Sequence, residues 1–317
     1  MNLPVLSIVI PCFNEEACIE HTTTRLLEVL KELEDENQIS SDSFIFFVDD
    51  GSNDNTWSFI QKENEKNNKV KGVSFTRNFG NQMAILAGLT EANKLKADCF
   101  ITIDADLQQD ETKIKEFVQK YKSGIQIVCG VRNDRKTDGV FKKTSALFFY
   151  KLMNLFGVNI KPNHSEYRLL SKKVVDALEN YTERNMFLRG IFSEIGFKKD
   201  YIFFDVKPRR EGVSKFTPFK MFTLALNGIT SFSIVPLRMV MFLGLIVAFI
   251  SFCIGISALI DKIFLDKAVS GWATIVTAIG FIGGIQILCI GIIGEYLGQL
   301  FQEVKNRPRY IIEKSIT

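Results

Sequence analysis

The stretch Ile101-Thr-Ile-Asp-Ala-Asp-Leu-Gln108 decides the fold of this 317-residue chain. An apolar run that begins at Cys99 stops abruptly at two carboxylates, Asp104 and Asp106. A buried strand that ends in Asp-x-Asp places acidic oxygens at the edge of a parallel sheet, where open α/β sheets bind their ligands. Oxygen ligands at this spacing suit Mg²⁺ or Mn²⁺ bridging a diphosphate. By itself the pattern also fits an ordinary turn, so the rest of the chain must decide.

Further apolar segments alternate with helical segments and predict a largely parallel sheet covered on both faces. These segments are Val5–Ile10, Phe44–Val48, Val70–Phe75 and Ile125–Cys129. The first three are closely followed by polar or glycine-containing stretches, namely Pro11–Glu16, Asp49–Ser52 and Arg77–Asn81. Each stretch alone is also a normal helix cap or turn. Together with the Asp-x-Asp segment they predict one crevice that holds a nucleotide diphosphate with a metal ion.

Composition and charge limit the classes of function. The net charge is only +3, so the chain lacks the strongly basic surface typical of nucleic-acid binding, and we expect no nucleic-acid partner. The six cysteines have neither CxxC nor zinc-type spacing, which favours small buried thiols in a reducing compartment. No secretory signal precedes the first apolar segment, so we expect the soluble part in the cytoplasm.

Residues 234–300 are nearly free of charge and contain two apolar segments, Met239–Ile260 and Trp272–Ile293. Each exceeds the roughly 20 residues that cross a bilayer. Basic residues flank the outer ends of the pair, whereas the charges of the connecting residues 261–270 cancel. This asymmetry predicts a multi-pass protein of the inner (plasma) membrane, with domain 1–233 and tail 301–317 both cytoplasmic. Glycines four residues apart in the second segment favour helix packing and a homo-oligomer, although general tolerance of glycine in membrane helices explains them almost as well.

Two segments, near 140–156 and 216–232, combine basic residues with large aromatic ones. The first contains Lys142 and Lys143 close to Phe148 and Phe149. This composition is typical of an amphipathic helix that lies in the membrane interface with its lysines toward lipid phosphates. A core helix of the soluble domain is the alternative.

The motifs together resemble a family-2 glycosyltransferase with the GT-A fold, which is α/β and Rossmann-like with a mostly parallel sheet. More narrowly, they resemble the polyprenyl-phosphate glycosyltransferases of the dolichyl-phosphate mannose synthase and bactoprenol glucosyltransferase (GtrB-like) type. The resemblance covers essentially the whole chain. It rests on Ser7–Glu16, Val48–Ser52, Arg77–Gly88, Ile103–Gln108, Glu166–Val175, Pro208–Lys215 and, at the end of the second apolar segment, Gly294–Gly298.

This resemblance implies a role for each matched residue. The nucleotide sugar would be bound by Pro11, Phe13, Asn14, Glu15, Asp49, Asp50, Asn78, Gly80, Asp104, Ala105 and Asp106. The cofactor, Mg²⁺ or Mn²⁺, would be held by Asp104, Asp106 and Gln108. The phosphate of a polyprenyl lipid in the membrane would be met by Arg132, Lys142, Lys143, Arg209, Ser214 and Lys215. The residues implied to carry the reaction are Asp104, Asp106, Arg132 and Arg209.

One segment departs from the family pattern. The family continues Leu-Gln-Asp-Pro-Pro or Leu-Gln-His-Pro-Pro, whereas this chain reads Leu107-Gln-Gln-Asp-Glu111. The Asp-x-Asp-x-Gln core survives, so we expect metal binding to survive with it. The missing prolines leave the entry angle of the following helix open, and nothing in the sequence supports a contribution of Gln109 to sugar choice.

The acceptor that the resemblance implies determines the chemistry. A lipid monophosphate is largely ionised at neutral pH and is already a nucleophile, so no protein base is assigned. A single in-line attack at the anomeric carbon would invert its configuration. The expected reaction moves one sugar to undecaprenyl phosphate. The bacterial resemblance makes UDP-glucose the best match for the donor, and N-acetylgalactosamine, galactose and mannose remain open.

Two other functions compete with this one. A processive polysaccharide synthase usually carries Gln-x-x-Arg-Trp, and neither Trp57 nor Trp272 completes that motif. A membrane scaffold or transporter subunit would use the two apolar segments, but these are few and poor in polar residues for a pathway of their own.

Overall fold

The structure, a computed structural model, describes residues 3–133, 164–184, 186–207, 235–265 and 271–317. They divide into two compact units. One is an α/β unit that includes the last residues of the chain, from Arg307 to Thr317. The other contains the two long C-terminal helices.

Within the described residues, the α/β unit is built on an eight-stranded sheet. Its strands are β1 (Leu6–Cys12), β2 (Phe44–Asp49), β3 (Val70–Phe75), β4 (Cys99–Thr102), β5 (Ile127–Arg132), β6 (His164–Ser171), β7 (Lys199–Phe204) and β8 (Ile312–Ile316). The accompanying helices are α1 (Glu16–Asp35), α2 (Thr56–Lys66), α3 (Asn81–Lys94), α4 (Ile114–Lys122), α5 (Lys172–Leu178) and α6 (Leu188–Glu194).

The strand order is β7-β5-β6-β4-β1-β2-β3-β8. Strands β4, β1, β2 and β3 pair in parallel, as do β5 and β7. Every residue of β1 and β2 is buried, because helices cover both faces of the central sheet. The mostly parallel α/β sheet predicted from the sequence is therefore confirmed, with antiparallel strands added at β6 and β8.

The register of the parallel strands brings their carboxyl ends to one edge of the sheet. Cys12 lies opposite Asp49, and Asp49 lies opposite Ser74. Val9 lies opposite Thr102, two residues before Asp104. The loops after β1, β2, β3 and β4 consequently leave the sheet side by side, at the edge where such sheets bind ligands.

Strand β6 lies antiparallel between β4 and β5, so these two parallel strands are not direct neighbours. The sequence predicts a strand end at Glu166–Arg168 and a helix cap at Ser171, but it does not predict that the strand lies between β4 and β5. The last residue of β6, Ser171, caps α5, since its hydroxyl accepts a hydrogen bond from the backbone N–H of Val174.

The C-terminal tail contributes the edge strand β8, which pairs antiparallel with β3. The backbone N–H of Thr76 donates to the carbonyl of Ile311 at 3.1 Å. The ring of Tyr310 stacks on Phe75 with 5.3 Å between centroids, and Arg309 Nη1 donates to the carbonyl of Tyr181 at 2.7 Å. Residues before and after the long helices thus belong to one folded sheet.

The second unit consists of α7 (Val235–Leu265) and α8 (Trp272–Val304). Both helices are long and apolar enough to cross a membrane, with a mean hydropathy of 2.5 over Leu237–Ile254 and 1.9 over Ala278–Val304. Large apolar side chains such as Phe249 and Ile287 are exposed. The predicted interfacial helices near 140–156 and 216–232 lie outside the described residues.

Candidate active site

The loop that follows β4 carries Asp104 and Asp106 and is fixed by short-range hydrogen bonds. The N–H of Leu107 donates to the carbonyl of Asp104 at 3.2 Å, and Leu107 has a positive φ of 46°. Asp106 Oδ1 accepts from the N–H of Gln108 at 3.2 Å. From α1, the Thr22 hydroxyl donates to the carbonyl of Ala105 at 2.6 Å. The two carboxylates are therefore presented on a turn that is closed internally and supported by a helix.

In this turn, Asp104 lies close to other acidic side chains. Desolvation raises the pKa of the Asp104 carboxyl to about 6, and repulsion from Asp106 and Glu166 adds to the rise. Arg132 and a hydrogen bond from Gln109 oppose it. A site where neighbouring acids repel the charge of one carboxylate gains free energy when a cation binds, because the cation relieves the repulsion.

Glu166 on β6 is a third acid near this turn. The sequence favours the end of a strand at this residue, with contact to the acceptor or the sugar as the alternative. Its Oε1 accepts from Arg189 Nε at 2.6 Å and from Gln82 Nε2 at 3.3 Å. Its Oε2 accepts from Arg168 Nη2 at 2.7 Å. The sequence predicts a strand end at Glu166, but it does not predict that this strand pairs with β4.

The loops after β1 and β2 are tied to each other. The N–H of Asn14 donates to Ser52 Oγ at 2.8 Å, and Asn14 Oδ1 accepts from the N–H of Asn53 at 2.8 Å. The N–H of Glu15 donates to Thr56 Oγ1 at 3.0 Å. Two of the predicted nucleotide-binding loops therefore form one braced unit. Before them, Pro11 is buried in β1 and Phe13 is half-buried.

Two acids at the end of β2, Asp49 and Asp50, form hydrogen bonds to neighbouring segments around the crevice. Asp49 accepts from the Ser74 hydroxyl at 2.8 Å and from the N–H of Ser52 at 3.1 Å. Asp50 accepts from the N–H groups of Phe79 and Gly80 at 2.6 and 2.9 Å, and burial raises its pKa to about 6. Asn78, just before this pair, is exposed. Asp50 thus positions the loop that carries the predicted residues Asn78 and Gly80.

Gly51 is required by its geometry. Its φ is +66°, and a Cβ there would lie 2.3 Å from the carbonyl carbon of Arg77. We expect Gly51→Ala to lower the free energy of unfolding by about 2–4 kcal/mol, from left-handed strain plus overpacking. Thermal or denaturant unfolding measures this loss.

Gly124→Ala is the matched control for Gly51→Ala, because Gly124 has φ +92° but nothing within 4 Å of a Cβ. Gly124→Ala therefore adds backbone strain without overpacking, and we expect it to lower the free energy of unfolding by only about 1 kcal/mol. Equal losses for the two variants would contradict the close approach of Gly51 to Arg77.

Cationic groups approach the Asp-x-Asp turn from β5 and from the segment after β7. Arg132 ends β5 and is half-buried. The N–H of Lys207 donates to the carbonyl of Gln108 at 2.9 Å, and its ammonium binds Glu111 and Asp110. The other predicted phosphate-binding residues lie outside the described residues: Lys142, Lys143, Arg209, Ser214 and Lys215.

Glu111 also accepts from Arg25 Nε at 3.0 Å, so the two residues that replace the family's prolines form an ion cluster. Asp110 caps the 3₁₀ turn Glu111–Lys113, since its side chain accepts from the N–H of Thr112. The cluster borders a cavity of about 300 Å³ beside Asp106. The sequence left open how the chain enters the helix after this turn, because the family's prolines are missing. In the structure the cap by Asp110 and the ion pairs of Glu111 fix that entry.

A mostly parallel sheet with an acidic, braced edge of this kind is typical of the GT-A class of glycosyltransferases. Comparison with known proteins identifies the family. The chain belongs to glycosyl transferase family 2: residues 7–179 match that family, and residues 235–300 match the GtrB C-terminal hairpin.

Similar proteins match over nearly the full length. The chain is 49% identical to the uncharacterized glycosyltransferase YkoT of Bacillus subtilis, covering 98% of this chain and 91% of that protein. It is 41% identical to the SfII prophage-derived bactoprenol glucosyl transferase of Shigella flexneri, covering 98% of both. It is 40% identical to a prophage bactoprenol glucosyl transferase homolog of Escherichia coli K12, again covering 98% of both. The predicted family, GT-A-like fold and enzyme class are confirmed.

Proposed function

We propose that this protein transfers one glucose from UDP-glucose to the phosphate of undecaprenyl phosphate, with inversion, at the cytoplasmic face of the plasma membrane. The observation that carries the proposal is the full-length similarity to bactoprenol glucosyl transferases, which includes the C-terminal hairpin. The structure adds an acidic crevice on the ligand-binding edge of the sheet.

The residues at this edge fit a divalent cation that is shared with a diphosphate. Among the described residues no three acid, histidine or cysteine side chains form a complete metal site. Mg²⁺ and related ions, however, are commonly held by one or two carboxylates together with substrate phosphates. Asp106 and Asp104, with Gln108 next to them, would hold Mg²⁺ or Mn²⁺, which when bound neutralises charge on the departing diphosphate.

The protein's part in the transfer is to bring two anions together and align them. The braced loops after β1 and β2 give the nucleoside a rigid wall. Arg132 offsets the negative charge of the turn, as its effect on the Asp104 pKa indicates. Together with Arg209 and Lys215 it would orient the incoming lipid phosphate. The phosphate itself is the nucleophile, so no protein side chain needs to remove a proton.

Strand β8 supports the proposal that the α/β unit and the C-terminal tail lie on the same side of the membrane. Because β8 in the tail pairs with β3, strands that precede α7 and a strand that follows α8 belong to the same sheet. Two membrane crossings return the chain to the side from which it left. The basic residues that flank the outer ends favour the cytoplasm for that side, and homo-oligomerisation through α8 stays a prediction.

Purified protein in detergent, given undecaprenyl phosphate and radiolabelled UDP-glucose, UDP-galactose, UDP-N-acetylgalactosamine or GDP-mannose, tests the proposal. We expect label in the lipid fraction with UDP-glucose and a divalent cation. Label from a different donor would contradict the choice of glucose, and no label from any donor would contradict lipid glycosylation.

Lys207→Met tests the ion cluster next to the turn. Loss of the ammonium leaves Asp110 and Glu111 without this cation. It also removes the side-chain attachment of position 207, two residues before Arg209, whereas the backbone bond to Gln108 remains. We expect KM for undecaprenyl phosphate to rise about tenfold, the typical loss when a supporting partner is removed. Steady-state kinetics at saturating UDP-glucose measure it.

Lys115→Met is the control for Lys207→Met, because Lys115 pairs with Glu36 on the exposed surface. It should leave KM unchanged. An unchanged KM in Lys207→Met as well would show that the cluster does not support the acceptor site.

A further inference from the structure

Gln109 makes a two-point contact with a single residue of the acidic turn. Its side chain is 1% exposed. Its Oε1 accepts from the backbone N–H of Asp104 at 2.7 Å, and its Nε2 donates to Asp104 Oδ2. The same Nε2 lies 3.4 Å from the hydroxyl of Ser165 on β6. Both ends of the amide are therefore used inside the protein.

This contact fixes the backbone and the carboxylate of Asp104 together. A primary amide offers an acceptor and a donor on one planar group, so it matches an N–H and a carboxylate that belong to the same residue. Rotation of the Asp104 side chain would break the Nε2 bond, and movement of the turn would break the Oε1 bond. Of the two carboxylate oxygens of Asp104, Gln109 binds Oδ2 and does not use Oδ1.

The neutral charge of the Gln109 side chain also matters for Asp104. Asp104 already experiences repulsion from Asp106 and Glu166. A neutral amide donor stabilises the ionised carboxylate without cancelling the negative charge that attracts a cation. A carboxylate at position 109 would add repulsion, and an aliphatic side chain would leave two buried polar groups unpaired.

We propose that Gln109 is a positioning residue for the transfer, which holds Asp104 in the orientation that the complex with the metal and the nucleotide requires. The inference rests on the proposed function for its kinetic readout. It also argues against a direct role of Gln109 in sugar choice, because a buried amide with both ends engaged on Asp104 and Ser165 is not placed to contact a sugar.

Gln109→Glu, Gln109→Leu and Gln109→Asn in the full-length protein test this role. Mn²⁺ binding in the presence of UDP is measured by electron paramagnetic resonance without turnover, and kcat and KM for UDP-glucose are measured by lipid transfer. We expect Glu and Leu to weaken Mn²⁺·UDP binding and to lower kcat by about 10–100-fold, as for other residues that orient a metal ligand. Asn keeps the amide but reaches less far, so it should retain more kcat than Leu.

Gln119→Glu on the exposed face of α4 is the control for the added charge and should match the wild type. Mn²⁺·UDP affinity and kcat within twofold of wild type for both Glu and Leu would overturn the proposal. If thermal unfolding shows that Gln109→Glu or Gln109→Leu is not folded, Gln109→Asn and Ser165→Ala are tested instead. Unchanged Mn²⁺·UDP binding and unchanged kcat in both of these variants would overturn the proposal. A wild type that binds Mn²⁺·UDP but transfers no glucose contradicts the proposed function alone, and the binding data still test Gln109.

Discussion

Asp106→Asn is expected to lose glucose transfer by on the order of 10²–10³-fold while the protein stays folded. Asparagine has the size of aspartate but no charge, so the turn keeps its shape and loses half of the Asp-x-Asp pair. The side chain is half-buried, and its Oδ1 accepts a hydrogen bond from the N–H of Gln108 at 3.2 Å, which an amide oxygen can also accept. Initial rates of label transfer to lipid at saturating UDP-glucose measure the loss.

Asp42→Asn is the matched control, because Asp42 is an exposed aspartate in the turn before β2, at the opposite end of that strand from Asp49 and the crevice. Its transfer rate should equal that of the wild type. Near-normal transfer by Asp106→Asn, with unfolding unchanged, would remove Asp106 from the mechanism.

Truncation after Asn306 is expected to lower the thermal unfolding midpoint of the α/β unit by roughly 10 °C, corresponding to a few kcal/mol for a unit of this size. The change deletes β8, and with it the Tyr310–Phe75 stack and the Arg309 hydrogen bond to Tyr181. It also exposes β3 as a sheet edge, which promotes association between chains. Unfolding in detergent and the aggregated fraction after mild heating measure both effects.

Lys314→Ala is the control for the truncation, because its side chain is exposed and the change keeps the backbone ladder of β8. Its midpoint should stay within a degree or two, the range of an ordinary surface substitution. A truncated protein that unfolds at the wild-type midpoint would show that β8 does not stabilise the sheet.

The central strands and the acidic turn could be predicted from the sequence because their signals are local. A short, continuous apolar run such as Phe44–Val48, rich in aromatic and β-branched residues and bounded by polar ones, is typical of a strand buried on both faces. Since parallel strands put their carboxyl ends at one edge, the grouping of Asp50, Asp104 and Asn14 near that edge followed from the order of the elements.

The rest of the site depends on pairings that have no local signal. Strand β6 reaches β4 through antiparallel pairing over a separation of about seventy residues, so the position of Glu166 beside Asp104 is a tertiary property. Strand β8 is short and polar, and its partner β3 lies more than two hundred residues earlier. The contact of Gln109 with Asp104 is local, but only the backbone geometry of the turn shows that the amide folds back.

Mass spectrometry of the lipid extract from proteoliposomes supplied with undecaprenyl phosphate, UDP-glucose and Mg²⁺ tests the central claim most directly. The account predicts one new lipid, heavier than undecaprenyl phosphate by a single hexose residue, and none of it when the divalent cation is chelated. A ladder of several hexoses, a product formed equally well without divalent cation, or an unmodified lipid would contradict it.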